Sequence, residues 1–205
     1  MKTNLPARTA SMILGLLLAT GLGFSKTPAN DVRVTVRLYS YVNLPADAPS
    51  EMAATAKRVL RQAGVAVEFI ECSSAGVAIG RTGCTGSLES AVLMLRIFEP
   101  KRAGHAKQLG YAAMTDEGGS CITLFVDPTK RMARIETLSD WALLGHAAAH
   151  EIGHLLLGSN SHTPTGIMRP TWRRGDEEGM AKGALRFDGR QARKMQTTLL
   201  ALSAH

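Results

Sequence analysis

The sequence predicts one α+β domain, and three observations carry that expectation. Five short runs alternate apolar and polar residues or are apolar throughout, one amphipathic helix separates the first two, and two more helical patterns follow the last. Val32 to Leu38 reads as a half-buried strand, and residues 48 to 63 read as a helix ended by Gly64. Val65 to Ile70 alternates again, and Cys72 to Ser87 carries the Gly, Ser and Thr of a loop. Ala91 to Phe98 is an apolar strand closed by Pro100, Leu109 to Thr115 is a shorter one, and Cys121 to Val126 stops at Asp127-Pro128.

The longest helical pattern runs from about Leu138 to Leu157 without a proline. Ala and Leu dominate it, Ser139 or Asp140 offers an N-cap, and Trp141, Leu144, Ala148, Ile152 and Leu155 mark an apolar face. Gly158 supplies the stop, since a glycine beyond the last turn adopts positive φ without a Cβ penalty. Residues 176 to 183 are rich in Gly and charge and read as loop. From Asp188 to Leu202, Ala192, Met195, Leu199 and Leu202 share one helical face.

Residues 1 to 25 have a basic start at Lys2 and Arg8, an apolar run from Met12 to Phe24 and small residues at its end, the pattern of a secretory signal. The apolar run is shorter than the roughly 20 residues a spanning helix needs, so the expectation is a secreted or periplasmic protein with no stable membrane span. Residues 26 to 205 are then one domain, enough for a single well-buried core, and a monomer is expected. The formal charge of +7 is scattered among acidic residues, as where Arg173-Arg174 precede Asp176-Glu177-Glu178. No basic stripe interleaved with aromatics appears, which argues against nucleic acid as a partner. Three cysteines, Cys72, Cys84 and Cys121, permit one intramolecular bridge in any of three pairings.

The chemistry concentrates between His150 and His162, which reads H-E-I-G-H-L-L-L-G-S-N-S-H. On a helix, residues four apart project from one face, so His150 and His154 aim imidazoles at one metal ion with Glu151 beside them. A catalytic zinc ion takes three protein ligands and leaves a position for water, whose pKa it lowers toward roughly 7. Neutral imidazoles leave the ion its full charge, and Glu151 is placed to accept the water's proton and pass it to a leaving amine. His162 lies on the segment returning after Gly158 and is the third candidate ligand. His146, one turn before His150, is left outside this set, because three histidines at four-residue steps span roughly 12 Å of helix axis.

These residues resemble the metzincin zinc peptidases, with matrixin-like enzymes the nearest comparison. That signature is H-E-x-x-H-x-x-G-x-x-H followed by a methionine turn, and here His150, Glu151, His154, Gly158, His162 and Met168 stand in that order. Two spacings depart from it, since three residues instead of two separate His154 from Gly158 and Gly158 from His162, and Leu157 takes the place of the family's glycine. Asn160 and His146 are the neighbouring side chains that would substitute for His162 were it to miss the metal. The resemblance implies a twisted, mostly parallel five-stranded sheet with an antiparallel edge strand, an active-site helix and a C-terminal helix. It also implies that Met168 packs beneath the metal and that Leu109 to Thr115 is the edge strand, with Gly110, Tyr111 and Ala112 pairing with substrate.

The expected activity is zinc-dependent hydrolysis of peptide bonds, with zinc on His150, His154 and His162 and Glu151 as general base, acting on a peptide or protein. Two alternatives are a non-catalytic zinc-containing binding domain and a zinc amidase acting on a cell-envelope substrate. The intact Glu151 argues against the first, because a purely structural zinc site has no use for a general base.

Overall fold

The computed structural model describes residues 32–72, 84, 92–99, 109–114, 120–126, 137–158 and 160–202. The signal-like segment and most of the loop before Ser87 lie outside the described residues. Strand β1 spans Val32–Ser40, helix α1 Ala48–Gln62, and strand β2 Val65–Cys72. Strands β3 (Val92–Phe98), β4 (Gly110–Met114) and β5 (Ser120–Phe125) follow, then helices α2 (Asp140–Leu157), α3 (Arg174–Ala181) and α4 (Gly189–Leu202). The fold is therefore α+β, with a five-stranded sheet and, among the described residues, four helices.

The sheet order is β2-β1-β3-β5-β4. β1 pairs in parallel with β2 and β3, β3 pairs in parallel with β5, and β4 pairs with β5 antiparallel at the edge. Alternation decides which face of each strand is buried. Val34, Val36 and Leu38 of β1 and Leu93, Leu95 and Ile97 of β3 enter one core cluster with Met52, Ala56, Val59 and Leu60 of α1 and Leu144, Ala148 and Ile152 of α2.

Helix α2 is buried well beyond the single apolar stripe read from its sequence: Leu143, Ala147, Ala149, Leu156 and Leu157 are buried too, while Trp141 and Leu155 are only partly covered. A helix covered on several sides has no need of one apolar face. Its N-cap is Ser139, whose Oγ accepts from the Ala142 N–H at 2.9 Å and also bonds to the Glu51 carboxylate of α1. That second bond ties the start of α2 to the helix it packs against.

Helix α3 corrects the loop expected over residues 176 to 183. Gly175 and Gly179 lower its intrinsic propensity, but the Asp176 carboxylate accepts from the Arg173 N–H at 2.8 Å, and Met180 and Glu177 are buried beneath it. Packing and the N-terminal hydrogen bond outweigh propensity in this two-turn helix. Cys72 and Cys84 form a disulfide, which selects one of the three pairings, and Cys121 is a buried free thiol. No helix among the described residues is long and apolar enough to cross a membrane.

Candidate metal centre

The three histidines meet. His150 Nε2 lies 3.0 Å from His154 Nε2, which lies 3.1 Å from His162 Nε2, and one ligand atom from each falls within 4.8 Å of the others. His150 and His154 arrive from successive turns of α2, as the four-residue spacing requires. His162 arrives by a reversal of the chain. Gly158 caps α2 with φ of 87° and its N–H on the His154 carbonyl at 2.9 Å, and Asn160 follows in the left-handed region at φ of 60°. Glycine and asparagine are the residues that enter that region at least cost, and the two turns offset the longer spacing noted above.

Two of the rings are fixed from behind. His150 Nδ1 donates to the Ile167 carbonyl at 2.7 Å, and His154 Nδ1 pairs with Ser161 Oγ at 3.0 Å. A neutral imidazole whose Nδ1 carries the proton presents an Nε2 lone pair; the Ile167 carbonyl, which only accepts, enforces that tautomer on His150, and the Ser161 hydroxyl is able to accept the same proton from His154. Tetrahedral zinc, with Zn–N near 2.0 to 2.1 Å, sets imidazole nitrogens about 3.3 Å apart, close to the 3.0 and 3.1 Å of the two pairs that include His154. Burial lowers the pKa of His150, and burial with the neighbouring His150 and His162 lowers that of His154 to about 4. The two rings are therefore neutral at neutral pH, which is the form that binds a cation. The three residues thus fit a zinc ion.

The site is open on one side, since His150 is buried, His154 partly covered and His162 exposed. Met168 is fully buried, with its carbonyl accepting from the Thr163 N–H at 2.9 Å. The preceding turn at Gly166 has φ of 77°, and the Ile167 N–H bonds to the Arg186 carbonyl at 3.2 Å. Met168 therefore packs below α2 against Gly153, and its backbone anchors the segment that carries His162. Trp172 stands edge-on to His150, with ring centroids 5.7 Å apart, and its Nε1–H shares the Ile167 carbonyl at 3.1 Å.

Glu151 is buried beside this group, and burial raises its pKa to about 7 against the opposing effect of a hydrogen bond from the Ala112 backbone. That bond places the edge strand β4 next to the carboxylate. The Phe125 N–H donates to the Leu109 carbonyl at 2.9 Å, so in this antiparallel register the backbone of Tyr111 faces Thr123 of β5 while Gly110 and Ala112 face outward. Of the three edge residues expected to pair with substrate, Gly110 and Ala112 offer outward backbone groups, and Tyr111 offers an exposed ring.

His146 stays apart from the three. It is fully buried, its Nδ1 donates to the Ala142 carbonyl at 2.8 Å, and its Nε2 has no hydrogen-bond partner among the described residues. Asn160 is exposed in the turn and is not a member of the metal-ligating group. Sequence reasoning missed the Ile167 carbonyl and Ser161, because a backbone carbonyl leaves no mark in a sequence and a lone serine beside a histidine is commonplace.

No protein-family model matches this sequence, and no curated protein matches it. Among solved structures, archaemetzincin from Methanopyrus kandleri is similar at 13% identity, over 85% of this chain and 99% of that one, with a TM-score of 0.49. A likeness at that level carries nothing about chemistry, which rests here on the three imidazoles and Glu151.

Proposed function

We propose that this protein is a secreted zinc-dependent endopeptidase. The observation that carries the reading is the convergence of three imidazole Nε2 atoms beside a buried carboxylate with a raised pKa. His150, His154 and His162 would hold zinc, which would supply Lewis-acid polarisation of a carbonyl and acidify a water. Glu151 accepts the proton of the attacking water on a carboxylate oxygen and delivers it to the departing amide nitrogen. A group that exchanges one proton in each direction works best with a pKa near the operating pH; burial raises that of Glu151 in the metal-free protein, and a cation beside it would favour the carboxylate that accepts the proton. The Ala112 N–H holds the carboxylate in place.

Substrate recognition in this reading uses the β4 edge. An extended peptide adds to an open edge through backbone hydrogen bonds, which tolerate many sequences. Gly110 and the Ala112 carbonyl supply the outward backbone, the Ala112 N–H being taken by Glu151, and Tyr111 supplies a ring for one substrate side chain. Export is part of the proposal, supported by the signal-like start and by the Cys72–Cys84 disulfide, a bond that persists in oxidising compartments.

The test is cleavage of a peptide library by the zinc-loaded protein and its Glu151→Gln variant. The variant should keep its zinc while turnover falls by about 10²- to 10⁴-fold, the usual worth of a general base. Equal cleavage by both proteins would refute the role of Glu151. Failure of the parent on every peptide, with release from envelope preparations, would move the reading to the envelope amidase.

A further inference from the structure

We propose that Ser161 is a positioning residue for the second metal ligand, with its hydroxyl accepting the His154 Nδ1–H and so holding the Nε2 lone pair toward His150 and His162. The inference rests on the metal centre argued above and names a residue whose role lies outside the ligand set.

The two rings on α2 are supported in different ways. His150 is buried, and the Ile167 carbonyl behind it accepts only, which leaves its Nδ1 no choice but to carry the proton. His154 sits one turn nearer the helix end, is only partly covered, and has Ser161 Oγ at 3.0 Å as its Nδ1 partner. Rotation about the last side-chain torsion of a histidine is broad and two-fold, so a ring with no partner on Nδ1 turns readily and misplaces Nε2. The serine hydroxyl supplies the missing constraint.

The supporting residue comes from the loop that also carries the third ligand. Ser161 is adjacent to His162, and both reach α2 only because Gly158 and Asn160 turn the chain back through two left-handed conformations. One short segment therefore places the His162 ring and orients the His154 ring together. Loss of either contact loosens both ligands, so the Ser161 hydroxyl couples the ordering of this loop to metal affinity. Partners behind a metal-bound imidazole are worth about 10- to 100-fold in affinity.

The experiment compares the full-length protein with Ser161→Ala and Ser161→Thr. Zinc affinity is read by chelator competition, the cobalt-substituted visible spectrum reports ligand geometry, and ring nitrogen NMR of the zinc-loaded protein reports the His154 tautomer. Ser161→Ala should bind zinc about 10- to 100-fold more weakly with a changed cobalt spectrum, and Ser161→Thr, which keeps a hydroxyl, should restore both. An alanine variant with parental affinity and spectrum overturns the proposal. So does a threonine variant as weak as alanine, which would trace the effect to the loop backbone. A parent that binds neither zinc nor cobalt overturns the metal centre itself, and that result is distinct because it appears before any variant is compared.

Discussion

The His150 imidazole and the Trp172 indole both donate to one acceptor, the Ile167 carbonyl, at 2.7 Å and 3.1 Å. A carbonyl with two lone pairs takes both bonds, and the shared atom locks the turn before Met168 to the first of the three clustered histidines.

Replacing Trp172 separates the two bonds. Trp172→Phe keeps an aromatic ring against His150 but removes the Nε1 donor, and should cost about 1 kcal/mol in urea denaturation. Zinc affinity should be nearly unchanged, since the Ile167 carbonyl still holds the His150 Nδ1–H. A large loss of affinity would show that Trp172, and not Ile167, sets the ring.

Packing beneath the site makes a second prediction. A Cβ at Gly153 would lie 2.7 Å from Met168 Sδ and 2.8 Å from Phe187 Cε1. Gly153→Ala should therefore destabilise the fold by about 1 to 3 kcal/mol, as overpacking does. Gly175→Ala is the control. A Cβ there meets nothing within 4 Å, and the helical preference of alanine should make that variant up to about 1 kcal/mol more stable. Equal midpoints for both variants would contradict the packing of Met168 against α2.

Burial of His146 predicts a loss of stability in acid. Burial pushes its pKa from 6.5 down to about 4, against the raising effect of its bond to the Ala142 carbonyl. The unfolded chain takes up the proton near pH 6.5, whereas the folded protein takes it up only near 4, so stability falls as pH drops through that window. The shift corresponds to roughly 3 kcal/mol. His146→Leu should flatten this part of the stability profile, measured by denaturation of the metal-free protein from pH 7 to about 4. An unchanged acid limb would assign the loss to other groups.

The disulfide makes a fourth prediction. Cys72 and Cys84 are 12 residues apart, and closing a loop of that length is worth about 3 kcal/mol in the chain-entropy account. Cys72→Ser with Cys84→Ser should lower stability by about that amount, and the parent should match the double variant once reduced. In the oxidised parent one thiol, that of the buried Cys121, should react only after unfolding.

Much of the architecture was legible in the sequence because strands and helices announce themselves by period. The order of elements, the helix carrying His150 and His154, the stop at Gly158 and the terminal helix all follow from local patterns that the structure repeats within a few residues. Helix α3 was not legible. Its two glycines argue for loop, the bond from the Arg173 N–H to Asp176 is a local cap on a residue type that does not advertise it, and the burial of Met180 emerges only when distant segments pack.

The sequence by itself determined the pair of imidazoles and the carboxylate between them, because a four-residue spacing on a helix is a geometric statement. Tertiary structure decided the rest of the site. It chose His162 over Asn160 and His146 as the third member, through the left-handed turns at Gly158 and Asn160. It placed the Ile167 carbonyl and the Ser161 hydroxyl behind the first two rings, and it brought the Ala112 N–H to Glu151. The physical reason is range: helical periodicity acts over a few residues, whereas the direction of a ring and the pKa of a carboxylate depend on groups that only the folded chain brings together.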